Sequence, residues 1–164
     1  MDESRFGLLT IARRCLTIKG VKPLVPYQHK FKNFYLYGAY SPVDGDGYTL
    51  EFPYCNTDCF EQYLEYFSLH RPKEFKILLV DNAAFHKAKR LKIPDNITLL
   101  FQPPYCPELN PAEMIWQHLK KLLANKTPDT LKTLSEKIAN LIKNLSAETI
   151  KSITGWEIYT NCIN

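Results

Sequence analysis

Two stretches decide how this chain folds. Ile77–His86 reads ILLVDNAAFH, and Thr98–Lys121 reads TLLFQPPYCPELNPAEMIWQHLKK. Each opens within a short apolar run, Phe75 to Val80 and Ile97 to Phe101. Runs of that length and composition suit strands covered on both faces. The first run delivers Asp81 to its end. The second leads into a proline-rich loop and then into Asn110-Pro111-Ala112-Glu113. There Asn is a helix cap, Pro stands at the first helical position and Glu at the third, a capping box. Ile115, Leu119 and Leu122 follow at helical spacing. The reading is strand, loop, strand, loop, helix, with one carboxylate ending a strand and another in the first turn of a helix. In sheets covered by helices, sites gather at such strand ends and helix starts.

Outward from this centre the pattern continues. Asp2 stands at the start, and Arg5 to Ile11 reads as a strand entered partway. Lys19 to Lys32 is basic, punctuated by prolines, and reads as loop. Asn33 to Tyr40 (NFYLYGAY) is aromatic-rich and predicts a strand. Asp44-Gly45-Asp46-Gly47 is a turn signal, with Tyr48 to Tyr54 as the returning hairpin strand. Asn56 or Thr57 caps a helix running to about His70. A short basic helix is expected from Lys87 to Leu91. Thr127-Pro128 starts another helix, whose apolar stripe is Leu131, Leu134, Ile138, Leu141, Ile142 and Leu145. Ser146 caps a last one ending near Gly155. A mixed sheet flanked by helices follows.

The 164 residues suffice for one domain with a sizeable core. Hydrophobic content of 45% and charged content of 23% are those of an ordinary globular protein. A net charge of +4 admits nucleic acid as a partner without requiring it. No apolar run is long enough to cross a bilayer as a helix. The five cysteines form no regular framework, and no signal peptide precedes them, which fits a reducing cytosol. Cys55 and Cys59 lack a second pair at structural-zinc spacing.

Taken singly, the candidate residues have plain structural readings. Asp81 can end its strand by bonding its own backbone. Glu113 completes a cap. His86 and His118 read as surface or hydrogen-bonded histidines. Lys87, Lys89, Arg90 and Lys92 read as a solvated helix face. Asp44 and Asp46 belong to the hairpin turn.

The combination says more. Asp2-Glu3-Ser4-Arg5-Phe6-Gly7, then Asp81-Asn82-Ala83-Ala84-Phe85-His86, then Pro104-Tyr105-Cys106-Pro107-Glu108-Leu109-Asn110-Pro111-Ala112-Glu113 with Trp116 and Leu119-Lys120 occur in this order. Over residues 2 to 125 the chain resembles the mariner-like superfamily of DDE transposases, in particular the bacterial insertion-sequence branch. Thirty-one residues separate Asp81 from Glu113, a spacing that fits this branch. Cys106 stands where the family often has serine.

The resemblance implies a ribonuclease H-like fold whose catalytic and metal-binding residues are Asp2, Asp81 and Glu113. Carboxylates suit Mg²⁺ or Mn²⁺, hard cations that take oxygen ligands. Two such ions, roughly 4 Å apart, activate the nucleophile and stabilise the leaving oxygen at a DNA phosphodiester. Asp81 would bridge them. Asn82, Lys87, Lys89, Arg90, Tyr105, Lys120 and Lys121 are the candidate DNA contacts. The implied activity is metal-dependent cleavage and strand transfer of insertion-sequence DNA ends, by a homo-oligomer, in the cytoplasm at the nucleoid. Members of this family carry DNA-reading modules ahead of the catalytic core, so the first strand is expected to be clipped and those modules absent. The alternative is a catalytically inactive transposase remnant that keeps the fold and binds DNA or a full-length transposase. A ribonuclease H-like nuclease or resolvase outside transposition is a third reading, which the loop from Pro103 to Pro111 disfavours.

Overall fold

Three antiparallel strands and a parallel pair form the two adjoining sheets of the computed structural model, which describes residues 1–104, 106 and 109–156. Strands β1 (Asp2–Gly7), β2 (Asn33–Tyr40) and β3 (Gly47–Phe52) run in that spatial order. Helix α1 (Thr57–Leu69) leads to β4 (Lys76–Val80), which pairs in parallel with β5 (Ile97–Phe101). Helices α2 (Pro111–Leu123), α3 (Leu131–Lys143) and α4 (Ala147–Thr154) close the described chain. The Met1 nitrogen donates to the Leu79 carbonyl at 2.8 Å, so the head of β1 lies against β4 and the two sheets adjoin there.

Two apolar clusters flank these sheets. Tyr37, Phe52, Leu78, Val80 and Ile97 pack under Phe60, Tyr63, Leu64 and Phe67 of α1. On the opposite side Phe6, Phe34 and Leu36 meet Ile115, Trp116 and Leu119 of α2, with Leu134, Ile138 and Ile150 behind them. Strand alternation supplies both sets, since Leu36 and Tyr37 point to opposite faces. The helix starts are capped by side chains. Asn56 accepts from the Cys59 N–H at 2.9 Å, and Thr130 and Ser146 accept from the N–H three residues on.

Four local expectations need correction. The strand expected over Arg5–Ile11 begins at Asp2 and ends at Gly7, beyond which only Leu8 and Thr10 bond across, to the Lys32 and Gln28 carbonyls. No helix spans Lys87–Leu91; a single 3-10 turn at Ala84–Lys87 stands there, and Ala88 is extended. That turn inserts His86 beneath Phe60, so tertiary packing overrides a weak local preference. The helix expected from Thr127-Pro128 starts at Leu131, because Pro128 is buried and its carbonyl takes the Gln28 amide. Finally, β4 and β5 are not covered on both faces. Leu78 and Val80 are buried, but Ile77 is 68% exposed and Leu100 55%, since among the described residues no helix crosses that side.

Candidate active site

The parallel register pairs Val80 with Phe101, so the next residues, Asp81 and Gln102, leave the two strand ends side by side. Asp2, the first residue of β1, and Glu113, in the first turn of α2, face the same place. Asp2, Asp81 and Glu113 together line one cleft of about 430 Å³, with Asn82, Gln102, Pro103 and Asn110 in its walls.

Two devices hold α2 against β1. Asn110 is buried; its Oδ1 accepts from the Ala112 N–H at 3.2 Å, and its Nδ2 donates to the Met1 carbonyl at 3.3 Å. One side chain thus caps α2 and ties that helix start to the head of β1. The second device is Gly38, the register partner of Asp2. A Cβ there would sit 2.6 Å from Trp116 Cη2, so only glycine lets the indole lie on the sheet at this point.

Asp81 is held from behind. Its Oδ1 accepts from the Ala83 N–H at 2.9 Å and lies 2.8 Å from His86 Nδ1. The other nitrogen, Nε2, is 3.1 Å from Oε1 of Glu3, whose side chain is 6% exposed. The imidazole itself is buried between the Phe60 and Phe85 rings. Burial opposes its charged form, but the Glu3 hydrogen bond and the charges of Glu3 and Asp81 outweigh this and raise its pKa. Asp2 lies in the opposite situation. Burial first, then the Glu3 charge, with Glu113 adding, push its carboxyl up to about 7 against the pull of the terminal ammonium.

An acidic cleft of oxygen donors whose charge is this poorly balanced fits a hard divalent cation. Among the described residues, however, no group of three or more His, Cys, Asp or Glu side chains converges closely enough to enclose a metal ion.

The remaining candidates disperse. Asn82 lines the cleft and donates to the Gln102 carbonyl at 2.6 Å. Lys120 is within electrostatic reach of Asp2 and Glu113, whereas Lys121 is exposed. Lys87 lies over the Phe101 ring, and Arg90 is paired with Asp58 at 2.8 Å. Lys87, Lys89 and Arg90 do not line the cleft. Tyr105 lies outside the described residues. Asp44 and Asp46 sit in the hairpin turn, paired with Arg71 and His70, each at 2.7 Å. Cys15, Cys55, Cys59 and Cys106 are free thiols.

Sequence reasoning missed Glu3 and Gln102. Glu3 had a signal, since it neighbours Asp2 on a strand and must face the other way. Gln102 also had one: it follows the second apolar run as Asp81 follows the first. Its Nε2 is buried without a hydrogen-bond partner, and the residue lines the cleft.

The sequence profile of the DDE superfamily endonucleases matches residues 1–135. The chain belongs to this family. The y4pE/y4sA protein of Sinorhizobium fredii, itself uncharacterized, is 41% identical over 89 residues, which cover 52% of this chain and 64% of that protein. Among solved structures, the mariner Mos1 paired-end complex with Mg superimposes with a TM-score of 0.74 at 17% identity, over 98% of this chain and 52% of that one. The paired-end complex with Mn gives 0.72 at 17%, over 99% and 53%. The fold is thus ribonuclease H-like, and this chain spans about half the length of the solved chains it matches. No described helix is long and apolar enough to cross a membrane.

Proposed function

We propose that this chain is a DDE transposase catalytic domain, cutting insertion-sequence DNA ends and joining them to target DNA, in the cytoplasm and as a homo-oligomer. The observation that carries the reading is the shared cleft: three carboxylates from three separate parts of the chain line it, and they are the three that the sequence resemblance implies. Asp2, Asp81 and Glu113 would hold two Mg²⁺ or Mn²⁺ ions. When bound, such ions supply charge neutralisation at the phosphodiester and lower the pKa of an attacking water. The similar Mos1 complexes solved with Mg and with Mn support divalent metal use.

In this reading the protein's own groups mainly position. Ala83 N–H and His86 fix Asp81, while Asn110 sets Glu113 relative to Asp2. Asn82 orients Gln102 through its backbone carbonyl, and the buried, unpartnered Gln102 amide would donate to a phosphate oxygen on turning into the cleft. No protein nucleophile is needed. Water serves for cleavage and the freed 3′-hydroxyl for joining.

The test has two readouts. Millimolar Mg²⁺ or Mn²⁺ should raise the melting temperature, because a ligand that binds only the folded state stabilises it. Asp81→Asn should lose that rise. Nicking of duplex DNA carrying the element's ends should fall about a hundredfold or more in Glu113→Gln, which keeps most of the helix cap and removes the charge. A metal-indifferent melt would remove the metal site. Parental nicking by Glu113→Gln would make Glu113 structural. A chain that binds DNA yet neither nicks it nor responds to metal would be the inactive remnant.

A further inference from the structure

A second cavity, of about 340 Å³, lies where the end of β1 and the start of β2 meet α2 and α3. Arg5, Lys30, Lys32, Lys120, Lys126 and Lys137 line it, and no carboxylate does. The whole chain carries 21 Lys and Arg against 17 Asp and Glu, so a wall of cations alone is far from its average surface. Apolar side chains close the bottom, Phe6, Leu123 and Leu134 among them, so the concavity is built by the core packing. Lys120 is the least hydrated of the six. Its Nζ lies 5.4 Å over the Phe6 ring, and burial, with Arg5 adding repulsion, lowers its pKa despite the pull of Asp2 and Glu113. Like charges gathered around a hollow repel one another until an anion enters.

Lys120 also joins this cavity to the acidic cleft. It follows Glu113 by seven residues on α2 and shares its helix face. At 1.5 Å per residue the two stand about 10 Å apart along the axis. A DNA strand carries one charge per roughly 3.4 Å of helix axis, so that distance is at most about three phosphates. A strand with one phosphate at the carboxylates therefore brings later phosphates to the cations.

We propose that this cavity binds the sugar–phosphate backbone of the DNA strand a few nucleotides from the phosphate held in the acidic cleft. The proposal rests on DNA being the substrate. Its test needs no catalysis, so it fails separately from the metal-site reading.

Binding of fluorescent duplex and single-stranded DNA is measured in EDTA at several salt concentrations. Three proteins are compared: the parent, the cavity variant Lys32→Gln/Lys126→Gln/Lys137→Gln, and a control variant Lys73→Gln/Lys143→Gln/Lys151→Gln of equal charge. All six lysines are exposed, so both variants should melt like the parent. Each lost phosphate contact removes about 0.9 from the logarithmic salt slope for duplex and about 0.7 for single strands. The cavity variant should lose about 2 to 3 in slope and the control less than about 1. Equal losses would assign the effect to net charge and overturn the proposal. So would inorganic phosphate raising the parent's melting temperature over chloride of equal ionic strength, and not the cavity variant's, while both bind DNA alike. That result marks a free-phosphate site. If the parent binds no DNA at all, this proposal and the DNA reading fall together.

Discussion

Asp2 and Glu3 are consecutive carboxylates on β1, and the fold treats them oppositely. Strand alternation sends Asp2 toward the cleft and α2, and Glu3 toward α1. Glu3 meets a buried imidazole at 3.1 Å. Asp2 is pushed up to about 7 by burial first, then by the Glu3 charge, with Glu113 adding less and the terminal ammonium pulling the other way. A carboxylate with its own cation is finished as a structural element. One whose burial and neighbouring carboxylates outweigh the terminal ammonium would gain from a further cation. The contrast separates a scaffold acid from a site acid more clearly than exposure does, since both are largely buried.

The largest expected effect lies on the scaffold side. His86→Ala leaves Glu3 buried and unpaired and opens a gap under Phe60, which should cost about 3 kcal/mol or more. Adding Glu3→Gln should recover much of that, because the stranded charge disappears. Chemical denaturation of the two single variants and the double measures both. A loss under about 1 kcal/mol in His86→Ala would mean that Glu3 is stable without its partner, and the contrast with Asp2 would collapse.

Next is the site side, where the sign reverses. Asp2 has a folded pKa raised above its unfolded value, so its favourable contribution is fully present below about pH 4 and lost as pH rises through about 7. Without metal, Asp2→Asn should therefore stabilise the protein at pH 8, by at most about 4 kcal/mol, and leave it unchanged near pH 4. Melts of the two proteins across this range in EDTA check it. If Asp2→Asn is destabilising at pH 8, Asp2 is a structural acid like Glu3. His86 titrates with the same sign: its pKa is raised, so its pairing contributes below the unfolded value and fades as pH rises through the folded one.

Gly38 sharpens the comparison through geometry. Gly38→Ala drives a methyl into Trp116 and should cost about 1–3 kcal/mol by overpacking. It should also weaken the metal-induced rise in melting temperature, because α2 carries Glu113 away from Asp2. A stability loss with the metal response intact would mean that α2 does not set that spacing.

The smallest effect belongs to the hairpin turn. Burial is the largest single influence and works against the Asp44 carboxylate, but bonds from Ser41, the Asp46 backbone and Arg71 together outweigh it and bring its pKa down to about 2. Its stabilisation is present above about pH 4 and lost as pH falls through about 2. The pair is nearly half exposed, so Asp44→Asn should cost at most about 0.5 kcal/mol at neutral pH and leave metal binding untouched. Loss of the metal response in Asp44→Asn would move the acidic centre to the hairpin.

Much of the scaffold was legible because it is made by neighbours in sequence. Asn56, Asn110 and Ser146 cap helices within three residues of themselves, and the strand Asn33–Tyr40 follows from its own composition. Asp81 and Glu113 stand where an apolar run ends and a capped helix begins, and only the ordered motifs raised them above their plain structural readings. The motif order assigned the chain to its family before any contact was known. Tertiary structure alone decided the rest. Whether His86 is exposed or buried depends on Phe60, Phe85 and Glu3, the last 83 residues away. That Gln102 keeps an unpartnered amide, that Gly38 lies beneath Trp116, and that Arg5, Lys32 and Lys137 share one cavity are equally invisible along the chain. Periodicity and capping report the hydrogen bonds a segment makes with itself. Desolvation and charge balance are set by groups that only folding brings together, and these separate Asp2 from Glu3.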